Sequence, residues 1–198
     1  MNVKGTKLSR VCVFCGSRSG ARPEYLSTAV AFGELLAARG IGLVYGGASV
    51  GVMGAVADAV LANRGEVFGF IPSWLDRREI AHTDLTKLTV VETMHERKRL
   101  MGEASSAFVA LPGGFGTYDE LFEVLTWAQI GLHHKPIGIL NTDGYFDPLL
   151  ALVEHTIAEG FAQEANRALF VVNASPEGLL SDLERFVEPA PGNKWERT

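Results

Sequence analysis

Short apolar runs alternate with amphipathic segments along the whole chain. The apolar runs are rich in β-branched and aromatic residues, which is typical of strands buried on both faces of a sheet. The segments between them repeat apolar residues at three- and four-residue spacing, which predicts helices. Seven strands are predicted on this basis, at residues 10–17, 41–47, 66–72, 87–93, 107–114, 135–141 and 168–173.

Helices are predicted between these strands and after the last one. The first begins at Pro23 and ends at Gly40, a common pair of start and stop signals. The others are predicted at residues 50–65, 94–106, 117–131, 147–160 and 175–187. Residues 73–86 show no clean period and are predicted to form a loop. The alternation predicts a doubly wound, Rossmann-like α/β fold, a parallel sheet of about seven strands with helices on both faces.

Composition narrows the class of protein. The chain has 198 residues, of which 47% are hydrophobic, and no linker, repeat or low-complexity segment divides it. Residues 1–198 are therefore expected to form one domain, with a loosely structured tail from about residue 189. The net charge of −5 and the lack of a basic stripe argue against nucleic acid as a partner. Apolar runs this short also argue against a transmembrane helix.

The two cysteines and the histidines suggest no redox or metal chemistry. Cys12 and Cys15 form a C-x-x-C pattern, but both fall within a predicted strand, where alternation directs their side chains to different faces. We therefore interpret them as structural residues and expect a reducing, cytoplasmic compartment. No metal is expected, because metal-ligand spacing is missing among the histidines, at positions 82, 95, 133, 134 and 155.

Three predicted strand-to-helix turns are rich in glycine and other small residues. They read CGSRSG from Cys15, YGGASVGVMG from Tyr45 and LPGGFGT from Leu111. In a parallel sheet these turns open on the same edge, where helix N-termini offer free N–H groups to an anion. The alternative is that glycine serves the geometry of tight turns alone. The phosphate contacts expected from the turns are Gly16, Ser17, Gly46, Gly47 and Gly113.

None of the turns matches a nucleotide fingerprint that would name the ligand. Gly46 and Gly51 have the spacing of a Walker A loop, but Val52 and Met53 replace its lysine and hydroxyl residue. The dinucleotide pattern fails as well, because Asp119 takes the place of its third glycine. A smaller phosphorylated ligand is therefore expected, without ATP, NAD or another cofactor.

Two charged residues stand out beside the third turn. On a helical wheel Arg97 lies in the middle of an apolar arc, where a guanidinium is costly unless it is paired or reaches an edge. Glu120 follows Thr117 by three residues, which is the capping-box pattern T-x-x-E. Capping is thus one interpretation of Glu120. The other is a role in chemistry or in pairing with Arg97, because a carboxylate beside an anion site is otherwise repelled.

The motifs MHERK and PGGFGTYDE resemble the LOG (Lonely Guy) family, the cytokinin riboside 5′-monophosphate phosphoribohydrolases, whose members often carry the label of lysine decarboxylase. The resemblance extends over nearly the whole chain, with Ala48 where the family usually has a glycine. It implies that Arg97 and Glu120 are the catalytic pair. It also implies nucleotide contacts at Glu79, Lys98, Gly114, Phe115, Gly116, Thr117, Tyr118 and Asp119.

This resemblance implies hydrolysis of the N-glycosidic bond of adenosine 5′-monophosphates, including N6-modified ones, to a free base and ribose 5-phosphate. It also implies a homodimer, for which the nearly all-round apolar segment LFEVLTWAQIG is the candidate interface. The main alternative is a non-catalytic protein of the same fold that binds a nucleotide or the molybdenum cofactor. A lysine decarboxylase using pyridoxal phosphate is disfavoured, because no lysine lies in an apolar context suited to a Schiff base.

Overall fold

A computed structural model describes residues 7–76, 81–187 and residue 189. Its central feature is a seven-stranded sheet in the order β4-β3-β2-β1-β5-β6-β7, with every neighbouring pair parallel. This confirms the predicted doubly wound fold. The strands are β1 Arg10–Phe14, β2 Gly42–Tyr45, β3 Val67–Pro72, β4 Lys87–Val91, β5 Ala107–Ala110, β6 Ile137–Leu140 and β7 Val171–Asn173.

Seven α-helices cover the sheet or join its strands within the described ranges. They are α1 Pro23–Ala38, α2 Gly51–Ala62, α3 Ser73–Asp76, α4 Met94–Glu103, α5 Phe115–Gln129, α6 Asp147–Ala158 and α7 Pro176–Glu184. Side chains of α1, α2 and α7 pack on one face of the sheet. Those of α4, α5 and α6 pack on the other face. The two apolar layers explain why nearly all residues of the five inner strands are buried, whereas most residues of the edge strands β4 and β7 are not.

Several element boundaries differ from the sequence-based expectation, and three of these differences are the most informative. A short helix, α3, lies at the start of the segment that was expected to be a loop. The segment expected to begin the last strand instead forms a 3₁₀ helix, Glu164–Leu169, which delays β7 to Val171. Helix α5 begins at Phe115, two residues earlier than expected, and this difference affects the site.

The strand order fixes where a ligand site can form. From β1 the chain moves outward through β2, β3 and β4, and then returns to place β5 on the other side of β1. The connections after β1 and β5 therefore leave in opposite directions, which opens a crevice at the carboxyl ends of the strands. Since β1 lies between β2 and β5, the three glycine-rich turns meet at this crevice, as predicted.

Candidate active site

A cleft of about 210 Å³ lies at this crossing point. Its walls come from the turns after β1, β2 and β5 and from the first turns of α2, α4 and α5. The residues that line it are Val13, Cys15, Gly16, Ser17, Gly46, Met53, Met94, Arg97, Gly114, Phe115, Gly116, Thr117, Asp119 and Glu120. The cleft therefore brings together eight of the binding residues expected at the site, in addition to the proposed catalytic pair.

Arg97 enters the cleft from the first turn of α4. This helix starts in a well-defined way, because the Thr93 side chain accepts a hydrogen bond from the Glu96 N–H at 3.1 Å. Arg97 is only 9% exposed. Its Nε donates to the carbonyl of Phe70 at 3.0 Å, and its Nη1 lies 3.4 Å from Oε1 of Glu120. The guanidinium on the apolar arc is thus paired and held from the backbone of β3.

Gly46 is a glycine because Arg97 needs the space. A Cβ at this position would lie 2.0 Å from the Nη2 atom of Arg97 and 3.1 Å from the sulfur of Met53. The backbone of Gly46 has no positive φ that would demand glycine. Packing against the guanidinium, rather than backbone conformation, therefore excludes a side chain here.

Glu120 is buried, at 8% exposed, and its carboxylate lines the cleft opposite Arg97. Burial raises the pKa of Glu120 from its ordinary 4.5 to about 7, although the charge of Arg97 opposes the shift. Asp119 and Glu123 add to the increase in pKa, whereas Lys98 opposes it. The pairing with Arg97 alone would lower the pKa of Glu120, but desolvation outweighs the attraction of the guanidinium.

The N-terminus of α5 is open to the cleft. Gly114 precedes the helix as its cap, and the first helical hydrogen bond joins the Tyr118 N–H to the Gly114 carbonyl at 3.2 Å. Within the described ranges, the N–H groups of residues 114–117 donate to no acceptor. The hydroxyl of Thr117, a residue only 2% exposed, also has no partner there and faces the cleft wall. Such a group of unsatisfied donors suits an anion.

The capping-box interpretation of Glu120 was wrong. Because α5 begins at Phe115, Thr117 is the third residue of the helix and Glu120 lies in the second turn. Neither residue can then satisfy the backbone of a helix start in the way that the T-x-x-E pattern suggested. A purely structural account of the buried Glu120 carboxylate loses its main support.

The glycines of the turns divide into two groups. A Cβ on Gly113 would lie 2.1 Å from the Thr117 hydroxyl and 2.7 Å from the backbone nitrogen of Gly16, so Gly113 serves close packing between two turns. A Cβ on Gly114 or Gly116 would meet nothing within 4 Å. Glycine at these two positions leaves the helix N-terminus uncovered, which is the arrangement that a ligand requires.

Several expected contacts do not line the cleft. Lys98 pairs instead with Asp119 at 3.1 Å and Glu123 at 2.9 Å, and so ties α4 to α5. Burial lowers the pKa of Lys98, but the hydrogen bonds to Glu123 and Asp119 outweigh it and raise the pKa overall. Tyr118 turns toward Tyr145, whose hydroxyl it contacts at 3.2 Å.

Gly47 is another expected contact that does not line the cleft. Gly47 adopts a φ of +78°, and its carbonyl accepts a hydrogen bond from the His82 N–H, beside an isolated bridge between Ala48 and Ala81. Glycine at position 47 thus supplies the unusual backbone conformation, which explains why Ala48 fits without strain. Glu79 lies outside the described residues.

The structure adds cleft residues that the sequence did not indicate. Met53 of α2 and Met94 of α4 line the cleft, and neither was among the residues expected at the site. Cys15 lines it as a free thiol. Burial raises the pKa of this thiol well above its ordinary value, so it remains protonated.

The described residues provide no cleft lysine that could form a Schiff base, no metal site and no transmembrane helix. No lysine lines the cleft there. Among the same residues, no group of three or more His, Cys, Asp or Glu side chains is placed to hold a metal ion. No helix in this part of the chain is long and apolar enough to cross a membrane.

Comparison with known proteins gives consistent results. Residues 53–183 match the family described as "Possible lysine decarboxylase". The "Probable cytokinin riboside 5'-monophosphate phosphoribohydrolase LOGL9" of Oryza sativa subsp. japonica is 48% identical, covering 93% of this chain and 82% of the relative. The "Cytokinin riboside 5'-monophosphate phosphoribohydrolase LOG2" of Arabidopsis thaliana is 44% identical, covering 92% of this chain and 85% of the relative.

A solved structure shares the fold at much lower identity. The molybdenum cofactor binding protein from Rippkaea orientalis superposes with a TM-score of 0.67 at 23% identity, covering 88% of this chain and 94% of its own. At this identity the likeness extends to the Rossmann-like fold alone and does not carry over the ligand.

The buried carboxylate predicts a specific dependence of stability on pH. A glutamate in the unfolded chain ionises near its ordinary pKa of 4.5, whereas Glu120 in the folded protein ionises near 7. Glu120 therefore stabilises the fold fully below pH 4.5, and this contribution is lost as pH rises through 7. Relative to Glu120→Gln, the wild-type protein should lose up to about 3 kcal/mol over that range.

Urea unfolding of both proteins between about pH 4 and about pH 8 measures this difference. Glu34→Gln is the matched control, because Glu34 is an exposed residue of α1 and does not line the cleft. If wild-type protein and Glu120→Gln have parallel stability profiles, the carboxylate does not titrate near 7.

Proposed function

Because the chain belongs to the LOG family of cytokinin riboside 5′-monophosphate phosphoribohydrolases, we propose that its cleft hydrolyses the N-glycosidic bond of adenosine 5′-monophosphates, including N6-modified ones. The products are the free base and ribose 5-phosphate. One observation carries the assignment to this cleft: a buried Arg–Glu ion pair lies beside an unpaired helix N-terminus. The first feature suits the chemistry of the sugar, and the second suits the phosphate.

The phosphate binds at the start of α5. The N–H groups of residues 114–117 and the partial positive charge of the helix end attract it. The buried hydroxyl of Thr117 supplies a further donor. Gly114 and Gly116 leave the approach open, since neither carries a side chain over these groups.

Glu120 acts on the ribose. Cleavage of an N-glycosidic bond builds positive charge at the anomeric carbon, as in other glycoside hydrolyses. An ionised carboxylate fixed beside that carbon stabilises the charge and orients the attacking water. Arg97 holds the carboxylate in place from 3.4 Å and favours its ionised form. Phosphate binding on the neighbouring helix positions the sugar against this pair.

Phe115 is placed to contact the base. Phe115 is 93% exposed and lines the cleft, as does Met94, which is 37% exposed. An aromatic ring and a thioether in this position can stack on a planar heterocycle. Neither contact discriminates between adenine and an N6-prenylated adenine.

The compartment and the assembly state are also part of the proposal. Cys12 and Cys15 are buried and free, which fits a reducing cytoplasm. Helix α5 exposes Phe122 and Ile130, at 40% and 44%, while Leu121 and Val124 from the same helix fill the core. A second copy of the chain covers the exposed apolar residues in a homodimer.

The substrate experiment is an incubation with AMP, with isopentenyladenosine monophosphate and with adenosine, followed by chromatography for free base. Both nucleotides should yield base, and the nucleoside should react far more slowly, since the helix N-terminus would then have no anion to hold. Equal rates for AMP and adenosine would show that the glycine turns serve geometry only. Absence of base from both nucleotides would reject the proposed reaction.

Two substitutions test the catalytic pair through different atoms. Glu120→Gln removes the negative charge, and Gly46→Ala places a Cβ where the guanidinium of Arg97 lies. Each should lower kcat for AMP by about 100-fold or more. Gly102→Ala is the control for a glycine substitution, because its Cβ would meet only ring atoms at 3.9 Å or more, outside the cleft. Near-wild-type base release from either site variant would contradict the mechanism.

Light scattering at micromolar concentration tests the homodimer. The wild-type protein should have twice the chain mass of 21.4 kDa, and Phe122→Asp should move it toward the monomer by charging the interface. Phe161→Asp is the control, since Phe161 is 86% exposed but follows α6. A monomeric wild-type protein would contradict the homodimer.

A further inference from the structure

A chain of two tyrosine hydroxyls lies behind the turn that begins α5. The Tyr118 hydroxyl donates to the Tyr145 hydroxyl at 3.2 Å, and Tyr145 donates to the carbonyl oxygen of Gly113. Tyr145 comes from the segment after β6 and is distant from the turn in sequence. Its ring packs edge-on against Tyr25 and Phe146, at centroid distances of 5.3 and 5.0 Å. The hydroxyl is therefore held in place by contacts of Tyr145 with α1, with the start of α5 and with the adjacent residue Phe146.

This contact fixes the orientation of one peptide plane. The described chain has no cis peptide bond, so the Gly113 carbonyl and the Gly114 N–H point in opposite directions. The carbonyl points away from the cleft to Tyr145, and the Gly114 N–H consequently points toward the side where Gly114 lines the cleft. Within the described residues this N–H donates to no protein acceptor.

The peptide between two glycines needs such an anchor. Glycine reaches most backbone conformations at little steric cost, so the plane between Gly113 and Gly114 is easily rotated. A helical hydrogen bond does not restrain this peptide either. The first such bond in α5 is accepted by the carbonyl of Gly114, so the carbonyl of Gly113 accepts none. In the described part of the chain, Tyr145 supplies the side-chain hydrogen bond to this oxygen.

We propose that Tyr145 is a positioning residue for phosphate binding, whose hydroxyl locks the Gly113–Gly114 peptide with its N–H directed at the 5′-phosphate. Tyr118 supports it by donating to the same hydroxyl, which leaves the Tyr145 proton directed at the Gly113 carbonyl. The inference rests on the proposed function, because it assumes that a phosphate occupies the N-terminus of α5. It assigns to both tyrosines a role outside the cleft, with no contact to substrate.

The hydroxyl remains a donor at all relevant pH values. Burial raises the pKa of Tyr145 to about 12. The proposal therefore predicts no pH dependence from this residue, which separates its effect from that of Glu120.

The test is the substitution Tyr145→Phe, which removes one oxygen and keeps the ring contacts. The KM for AMP and the dissociation constant of ribose 5-phosphate should both rise roughly three- to tenfold, the effect of one hydrogen bond. The kcat should stay within about twofold, and the binding of adenosine should not change, because adenosine carries no phosphate. Tyr118→Phe should act in the same direction with a smaller effect.

Tyr25→Phe is the matched control, since its ring packs on Tyr145 but its hydroxyl does not contact Gly113. It should leave all of these constants unchanged. If Tyr145→Phe binds ribose 5-phosphate as tightly as the wild-type protein, or loses affinity for adenosine to the same extent, the positioning role is wrong. Failure of the proposed function is distinguishable, because the wild-type protein itself would then release no base from AMP.

Discussion

The burial of one ion pair constrains the rest of the site. Arg97 and Glu120 are both almost inaccessible to water, and each charge loses hydration that its partner must offset. The offset is incomplete for the carboxylate, whose pKa rises to about 7. A carboxylate in this state exchanges protons near neutral pH and interacts strongly with nearby positive charge, because little water screens it. The site thus keeps a reactive group at the cost of some stability.

The surrounding backbone is arranged to accommodate this pair. Gly46 leaves room for the guanidinium, and the carbonyl of Phe70 holds its Nε. Lys98 joins α4 to α5 through Asp119 and Glu123, which keeps the two helices that carry the pair in register. The strand order places these elements around one crevice. A single architectural feature, the crossing between β1 and β5, therefore brings the ion pair and the helix N-terminus together.

Much of this arrangement could be predicted from the sequence, but the features that could not be predicted depend on tertiary packing and burial. Buried parallel strands are continuous apolar runs, so the sheet was predictable from local pattern. The start of α5 was not, because Gly114, Phe115 and Gly116 are poor helix formers whose conformation is set by packing of the turn against Gly16. The raised pKa of Glu120 could not be predicted, because the sequence suggests a charged partner but does not show the degree of burial.

Contacts between segments that are distant in sequence could not be predicted from local sequence patterns. Arg97 and Glu120 were identified by their positions on helices, yet the hydroxyl of Tyr145 reaches Gly113 from a segment with no distinguishing periodicity. Met53 and Met94 were not expected at the site, because helical spacing of apolar residues cannot distinguish a buried face from the wall of a cleft. Glu79 as a contact, the single domain and the homodimer remain predictions.

The central claim is that the buried carboxylate of Glu120 must be ionised for catalysis, and the pH profile of kcat/KM for AMP tests it most directly. The profile should fall on the acid side with a midpoint near the Glu120 pKa of about 7. Glu123→Gln should move that midpoint to lower pH, because Glu123 helps to raise the pKa of Glu120. The phosphate of the substrate has its own ionisation near pH 6, which this substitution cannot move. A midpoint that is identical in the two proteins would contradict the account.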